Sequence, residues 1–254
     1  MLIFLYDGTF EGLLTCIFEG YSSKKFPDEI EPEGKNPESL FAEVKKIDSD
    51  AGKANRVWKG IQQKLSVRNR QLLYYAFLSE KEGIEMQILR FAQRLFSEEK
   101  NIETDLGDED VLDIIQFARK VKKEAMRLMQ FVRFQQTKDG LYFCGIDPMY
   151  DVLPLVLGHY KRRFSDQQWL LYDLKRNYGA FYNKKSVEEV VLTSQELNRQ
   201  TGQISENVLN EGDAFYQTLW KSYFNNISIK ERKNLRLQRQ HMPRRFWKYL
   251  TEKQ

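Results

Sequence analysis

The chain has 254 residues, 41% hydrophobic and 13% aromatic against 30% charged, with a formal net charge of +4, a balance that excludes an intrinsically disordered polypeptide. Its two cysteines, Cys16 and Cys144, exclude a disulfide framework, a zinc knuckle and a three-cysteine iron–sulfur motif, and both are expected to be buried thiols of a cytoplasmic protein. The start of the chain has no basic segment followed by an apolar one, and no stretch approaches eighteen uncharged apolar residues, so neither a signal peptide nor a membrane span is expected.

In chain order, residues 2–6 are an apolar run suited to a buried strand, broken by Asp7-Gly8. Thr9 is placed to cap a helix in which Phe10, Leu13, Leu14, Ile17, Phe18 and Tyr21 fall at helical spacing. Residues 22–37, with three prolines and Gly34 among charges, read as an exposed loop. From about 38 to 96 the apolar period stays near 3.6, with helix breaks expected at Ser66 and Gly83. An acidic loop at 97–110 precedes a helix over about 111–129.

The period then changes. Residues 131–136 and 141–146 around Thr137-Lys138-Asp139-Gly140 predict a β-hairpin, and a helix follows over 150–164 with Pro154 in its first turn. A second strand pair at 169–173 and 178–183 and a further strand at 187–192 complete a ββαββ core. Residues 193–212 read as a polar connector. Three short helices are expected beyond it, the second opened by the capping pair Ser228 and Glu231, the third with Pro243 in its first turn. The architecture expected is a single α+β unit over 1–254: a small, mostly antiparallel sheet joined by the N-terminal strand, a large helical layer at about 38–130, the ββαββ core at about 131–192, and a basic helical tail at about 213–254.

Charge is distributed unevenly. Residues 1–120 hold 17 basic and 22 acidic side chains, whereas 219–254 hold 10 and 2. In that tail Lys230, Arg232, Lys233, Arg236, Arg239, Arg244, Arg245 and Lys248 alternate with Trp220, Tyr223, Phe246, Trp247 and Tyr249. Cations that displace counterions from phosphate, next to rings that stack on unpaired bases, suit single-stranded or distorted DNA; the alternatives are aromatics packed inward beneath a solvated helix face, and an anionic membrane surface. A second cluster, His159, Lys161, Arg162 and Arg163, lies where cations also complement a helix dipole, and with Lys175 and Arg176 it would form a phosphate-binding ridge.

Asp7, His159 and His241 are the candidate acid–base groups, each with a structural alternative, and two histidines alone do not make a metal site. Neither a metal nor a cofactor is expected. The chain has no GxxxxGK[ST], GxGxxG after a strand, HExxH or GxSxG motif, which disfavours P-loop, Rossmann, zinc-protease and α/β-hydrolase chemistry.

Three blocks, YDGTFEGLLTCIFEGY at 6–21, RFQQTKDGLYFCGIDPMYDVLPLVLGHYKRRFSDQQWLLYD at 133–173, and SIKERKNLRLQRQHMPRRFWKYLTEK at 228–253, resemble a bacterial family described as "probable DNA metabolism protein". The resemblance spans nearly the whole chain. It implies association with a radical-SAM protein of DNA modification or repair and with uracil-DNA-glycosylase-like domains. The CxxxCxxC motif of a radical-SAM cluster and a glycosylase water-activating loop are both missing, so the chain resembles the partner of those enzymes. Carried over as candidates are Asp7, Gly8, Phe10, Glu11, His159, Arg162, Arg163, Trp169, Asp173 and Arg176, then Arg232, Asn234, Pro243, Arg245 and Trp247 in the tail. The expected function is a DNA-binding accessory protein contacting DNA through Arg162, Arg163, Arg176, Arg232, Lys233, Asn234, Arg244, Arg245 and Trp247. The alternatives are a nucleic-acid-modifying enzyme using Asp7, His159 or His241, and a protein-interaction scaffold without DNA contact.

Overall fold

The apolar run at the start of the chain becomes a central strand, β1 (Leu2–Tyr6), with both edges occupied. The structure, a computed structural model, describes residues 1–34, 42–98, 102–192, 197–198, 203–204, 236, 239–240 and 242–250. Contacts divide the chain into two compact units, Met1–Lys122 and Lys123–Gln254. It is an α+β protein, and no helix among the described residues is long and apolar enough to cross a membrane.

In the first unit β1 pairs in parallel with β2 (Glu29–Pro32) on one side and β3 (Glu43–Lys46) on the other. Helix α1 (Phe10–Ser23) connects β1 to β2, the kind of crossover that parallel strands require. Two expectations are corrected here. The N-terminal strand does not join the later sheet, because β2 and β3 take the hydrogen bonds of both its edges. Residues 29–32 and 43–46, read as loop and helix, are edge strands. They escape a reading by apolar pattern because they are four residues long and mostly charged, as edge strands that avoid pairing with other chains often are. Helices α2 (Ala51–Lys64), α3 (Leu72–Phe77) and α4 (Ile84–Ser97) bury Ile61, Leu73, Ile88 and Phe91 in one core with Phe4, Leu13 and Ile17. The expected breaks at Ser66 and Gly83 are present: α2 ends at Lys64, and Gly83, at φ +75°, precedes α4. The acidic loop folds around Arg94, which pairs with Glu98, Asp105 and Asp108. Helix α5 (Glu109–Phe131) follows.

The second unit is built on a five-stranded sheet, β4 (Gln135–Gln136), β5 (Tyr142–Ile146), β6 (Trp169–Asp173), β7 (Tyr178–Tyr182) and β8 (Val187–Val190), in sequential order. The sheet is mixed, which corrects the mostly antiparallel expectation. Short turns make β4–β5, β6–β7 and β7–β8 antiparallel, but α6 (Leu153–Arg163) carries the chain back over the sheet and leaves β5 and β6 parallel. A further hairpin pairs β9 (Leu197–Asn198) with β10 (Gln203–Ile204). Of the three closing helices, the first and the opening of the second lie outside the described residues, and Arg236, Arg239 and Gln240 are helical. The third is a 3₁₀ turn, Arg244–Tyr249, with Pro243 as its cap.

Candidate functional site

The register of the second sheet places three aromatic residues in a row on one face: Tyr142 of β5 lies beside Trp169 of β6, and Trp169 beside Tyr182 of β7. The Trp169 and Tyr182 rings are 5.4 Å apart between centroids. Helix α6 buries Leu153, Val156 and Tyr160, an i, i+3, i+7 stripe, and the Tyr160 ring lies 6.2 Å from Trp169. The Tyr160 hydroxyl donates to the Leu128 carbonyl of α5 at 3.2 Å. Phe134, after α5, meets Tyr160 and Phe164 edge-on at 5.5 Å each.

Phe134, Tyr142, Tyr160, Phe164 and Trp169 border a cavity of about 640 Å³, whose lining also includes Arg133, His159, Arg163, Gln130 and Gln167 and, among the described residues, no carboxylate. Trp169 lines it while fully buried, and its indole Nε1–H has no hydrogen-bond partner among the described residues. A buried donor without an acceptor costs about 1–3 kcal/mol. Arg133 is fixed at the cavity edge by donating to the Gln130 and Val132 carbonyls, each at 3.0 Å. Lys161, Arg162 and Arg163, in the last turn of α6, are exposed, and no carboxylate among the described residues pairs with them. The Arg163 guanidinium lies 5.6 Å from the centroid of Phe164, and the Lys161 ammonium 5.9 Å from that of Tyr182.

The other expected contacts are placed differently. Arg176 does not join Arg162 and Arg163 in a ridge. It pairs at 2.8 Å with Asp173, which is fully buried, and donates to the carbonyls of Pro148 and Met149, just ahead of α6. From there to Arg163 is the length of the helix, roughly 15 Å at 1.5 Å per residue. Arg245 pairs with Glu124, whose side chain is 2% exposed and also accepts from the Met149 amide at 3.2 Å. Trp247 donates Nε1–H to the Met242 carbonyl at 2.9 Å, and Phe246 and Tyr249 pack inward with Phe131. Arg244 is exposed, 5.9 Å from the Trp247 ring centroid. Arg232, Lys233, Asn234 and His241 lie outside the described residues.

In the first unit the Asp7 carboxylate serves the turn between β1 and α1. One oxygen accepts from the Thr9 amide at 2.9 Å and its hydroxyl at 2.7 Å, the other from Ser49 at 2.7 Å. Partial burial pushes this carboxyl up, but the bonds from Ser49 and Thr9 outweigh burial and hold it below the ordinary carboxylate range. Thr9 in turn accepts from the Gly12 amide, the expected cap. Among the described residues no group of three or more His, Cys, Asp or Glu could hold a metal. The sequence reading did not single out Arg133, Phe134, Tyr142 or Phe164; the only available signal was the Arg-Phe pair entering the hairpin opposite an aromatic, ordinary in a strand.

A family model described as "Domain of unknown function (DUF4130)" matches residues 82–252, a span that takes in every residue lining the cavity and leaves out Asp7. No curated protein and no solved structure matches the chain.

Proposed function

This chain belongs to the DUF4130 family, and from that premise we propose that it is a DNA-binding accessory protein of a repair or modification pathway, with the cationic end of α6 as its contact surface. One observation carries the reading: Lys161, Arg162 and Arg163 are exposed together in the last turn of α6, without a described carboxylate partner, and Arg163 also lines a cavity walled by aromatic rings. Unpaired cations attract a phosphate backbone by releasing its counterions, whereas Arg176 and Arg245 already have buried anions to satisfy. Their position at the negative end of the helix dipole accounts for the charge at this turn but not for the cavity beside it.

We read the basic helical C-terminus, with Arg232, Lys233 and Asn234, as a second contact. The likeness of the three sequence blocks supports a radical-SAM protein and a uracil-DNA-glycosylase-like protein as partners in the cytoplasm. The test is a fluorescence-anisotropy titration with single- and double-stranded DNA at about 50 mM salt, where electrostatic attraction is strong. Binding is expected, weakening as salt rises, and R162A/R163A should lower it while leaving the fold intact, since Ala is at least as good a helix former as Arg. No affinity for either form of DNA would refute the reading.

A further inference from the structure

We propose that the cavity of the second unit receives an unstacked nucleobase from the strand whose phosphates lie on Lys161, Arg162 and Arg163, an inference that rests on the DNA-binding reading of α6. The walls are the first reason. Phe134, Tyr142 and Phe164 are each partly exposed around the opening, and a base stacks on such rings whatever its sequence. The polar lining is the second. Arg133, Arg163 and Trp169 can only donate, His159 and two glutamines can donate or accept, and no carboxylate lines it among the described residues. That set matches a planar ligand rich in carbonyl and ring-nitrogen acceptors and is mismatched to a cation.

The third reason is the Trp169 indole, which lines the cavity and whose fully buried N–H has no hydrogen-bond partner among the described residues. Arg163 belongs both to the lining and to the cationic turn, so one nucleotide has a place for its base beside the place for its phosphate. An apolar side chain of a partner protein would cover the rings and leave the donors unmet. A free anion would satisfy Arg163 and leave the rings bare.

The experiment compares oligo(dT) with an abasic oligomer of the same length and charge in anisotropy titrations of the intact protein. Oligo(dT) is expected to bind at least about fivefold more tightly, the lower end of the scale for one base stacked on aromatic side chains. Tyr142→Ala and Trp169→Phe should shrink that ratio and leave affinity for the abasic oligomer unchanged. Tyr142 is partly exposed, so its variant carries the test if the core substitution fails to fold. Equal affinity for the two polymers would overturn the base pocket and leave the phosphate-binding reading standing. A preference retained in full by the folded variants would also overturn it, and no binding to either polymer would overturn both.

Discussion

Glu124 and Arg245 are partners of unequal exposure: the carboxylate side chain is 2% exposed, the guanidinium 39%. Removing the cation therefore strands a buried anion. R245A should destabilise the protein by about 2–3 kcal/mol, somewhat under the loss typical of fully enclosed pairs, as measured by urea denaturation. This residue is consequently a poor probe of DNA contact, and Arg162 with Arg163 a better one. Gly12 sets two effects against each other. Alanine is favoured over glycine in a helix by about 1 kcal/mol. A Cβ at this position, however, would collide with the Asp7 carboxylate and lie 2.9 Å from both Ser49 Oγ and Tyr6 Cδ2. Overpacking of that kind costs about 1–3 kcal/mol, so G12A should lower the melting temperature despite its helix propensity. Asp7 also supplies a pH dependence. Its carboxyl is held below the unfolded value of about 3.9, so its stabilisation is complete above that pH and disappears as pH falls through the folded value. D7N should lose less stability than the parent over that acid window in denaturation at stepped pH. Cys16 and Cys144 are both pushed up to about 12 by burial. A thiol reagent at about pH 8, below both values, should find neither group in the native protein and both after unfolding.

Among the elements, β6 has hydrogen-bonded neighbours on both sides and five buried residues, while β8 lies at the sheet edge with two of its four exposed. Hydrogen exchange should show β6 amides opening only with global unfolding and β8 amides exchanging through local fraying. Comparable protection in the two strands would contradict this. The same contrast explains which elements were legible in the sequence. β1, α1, α4 and β6 carry long apolar signals, and burial in the fold follows them. β2 and β3 have almost none, because an edge strand of charged residues is stabilised by its neighbour's backbone and not by its own side chains. α5 runs to Phe131 and shortens the expected hairpin, since Phe131 is held by Phe246 from a distant part of the chain. Local periodicity contains no record of that contact.

For the whole molecule, the charge asymmetry predicts how affinity should respond to salt. If Arg162 and Arg163 each contact a phosphate, R162A/R163A should flatten the slope of log K against log salt on single-stranded DNA by about 1.4, from roughly 0.7 per contact. An unchanged slope would remove both residues from the interface. The sequence alone determined that the chain folds as α+β, that its cysteines are free and buried, where most helices and strands lie, and that cations concentrate near residues 159–163 and in the tail. Only the tertiary structure decided which cations have partners. Arg176 and Arg245 meet buried carboxylates, whereas Lys161, Arg162 and Arg163 stay exposed at the end of α6, Arg163 on a cavity whose walls come from α5, the hairpin, α6 and β6. The physical reason is that charge is counted along a chain but neutralised across space, so the availability of a guanidinium depends on which distant carboxylate the fold brings to it.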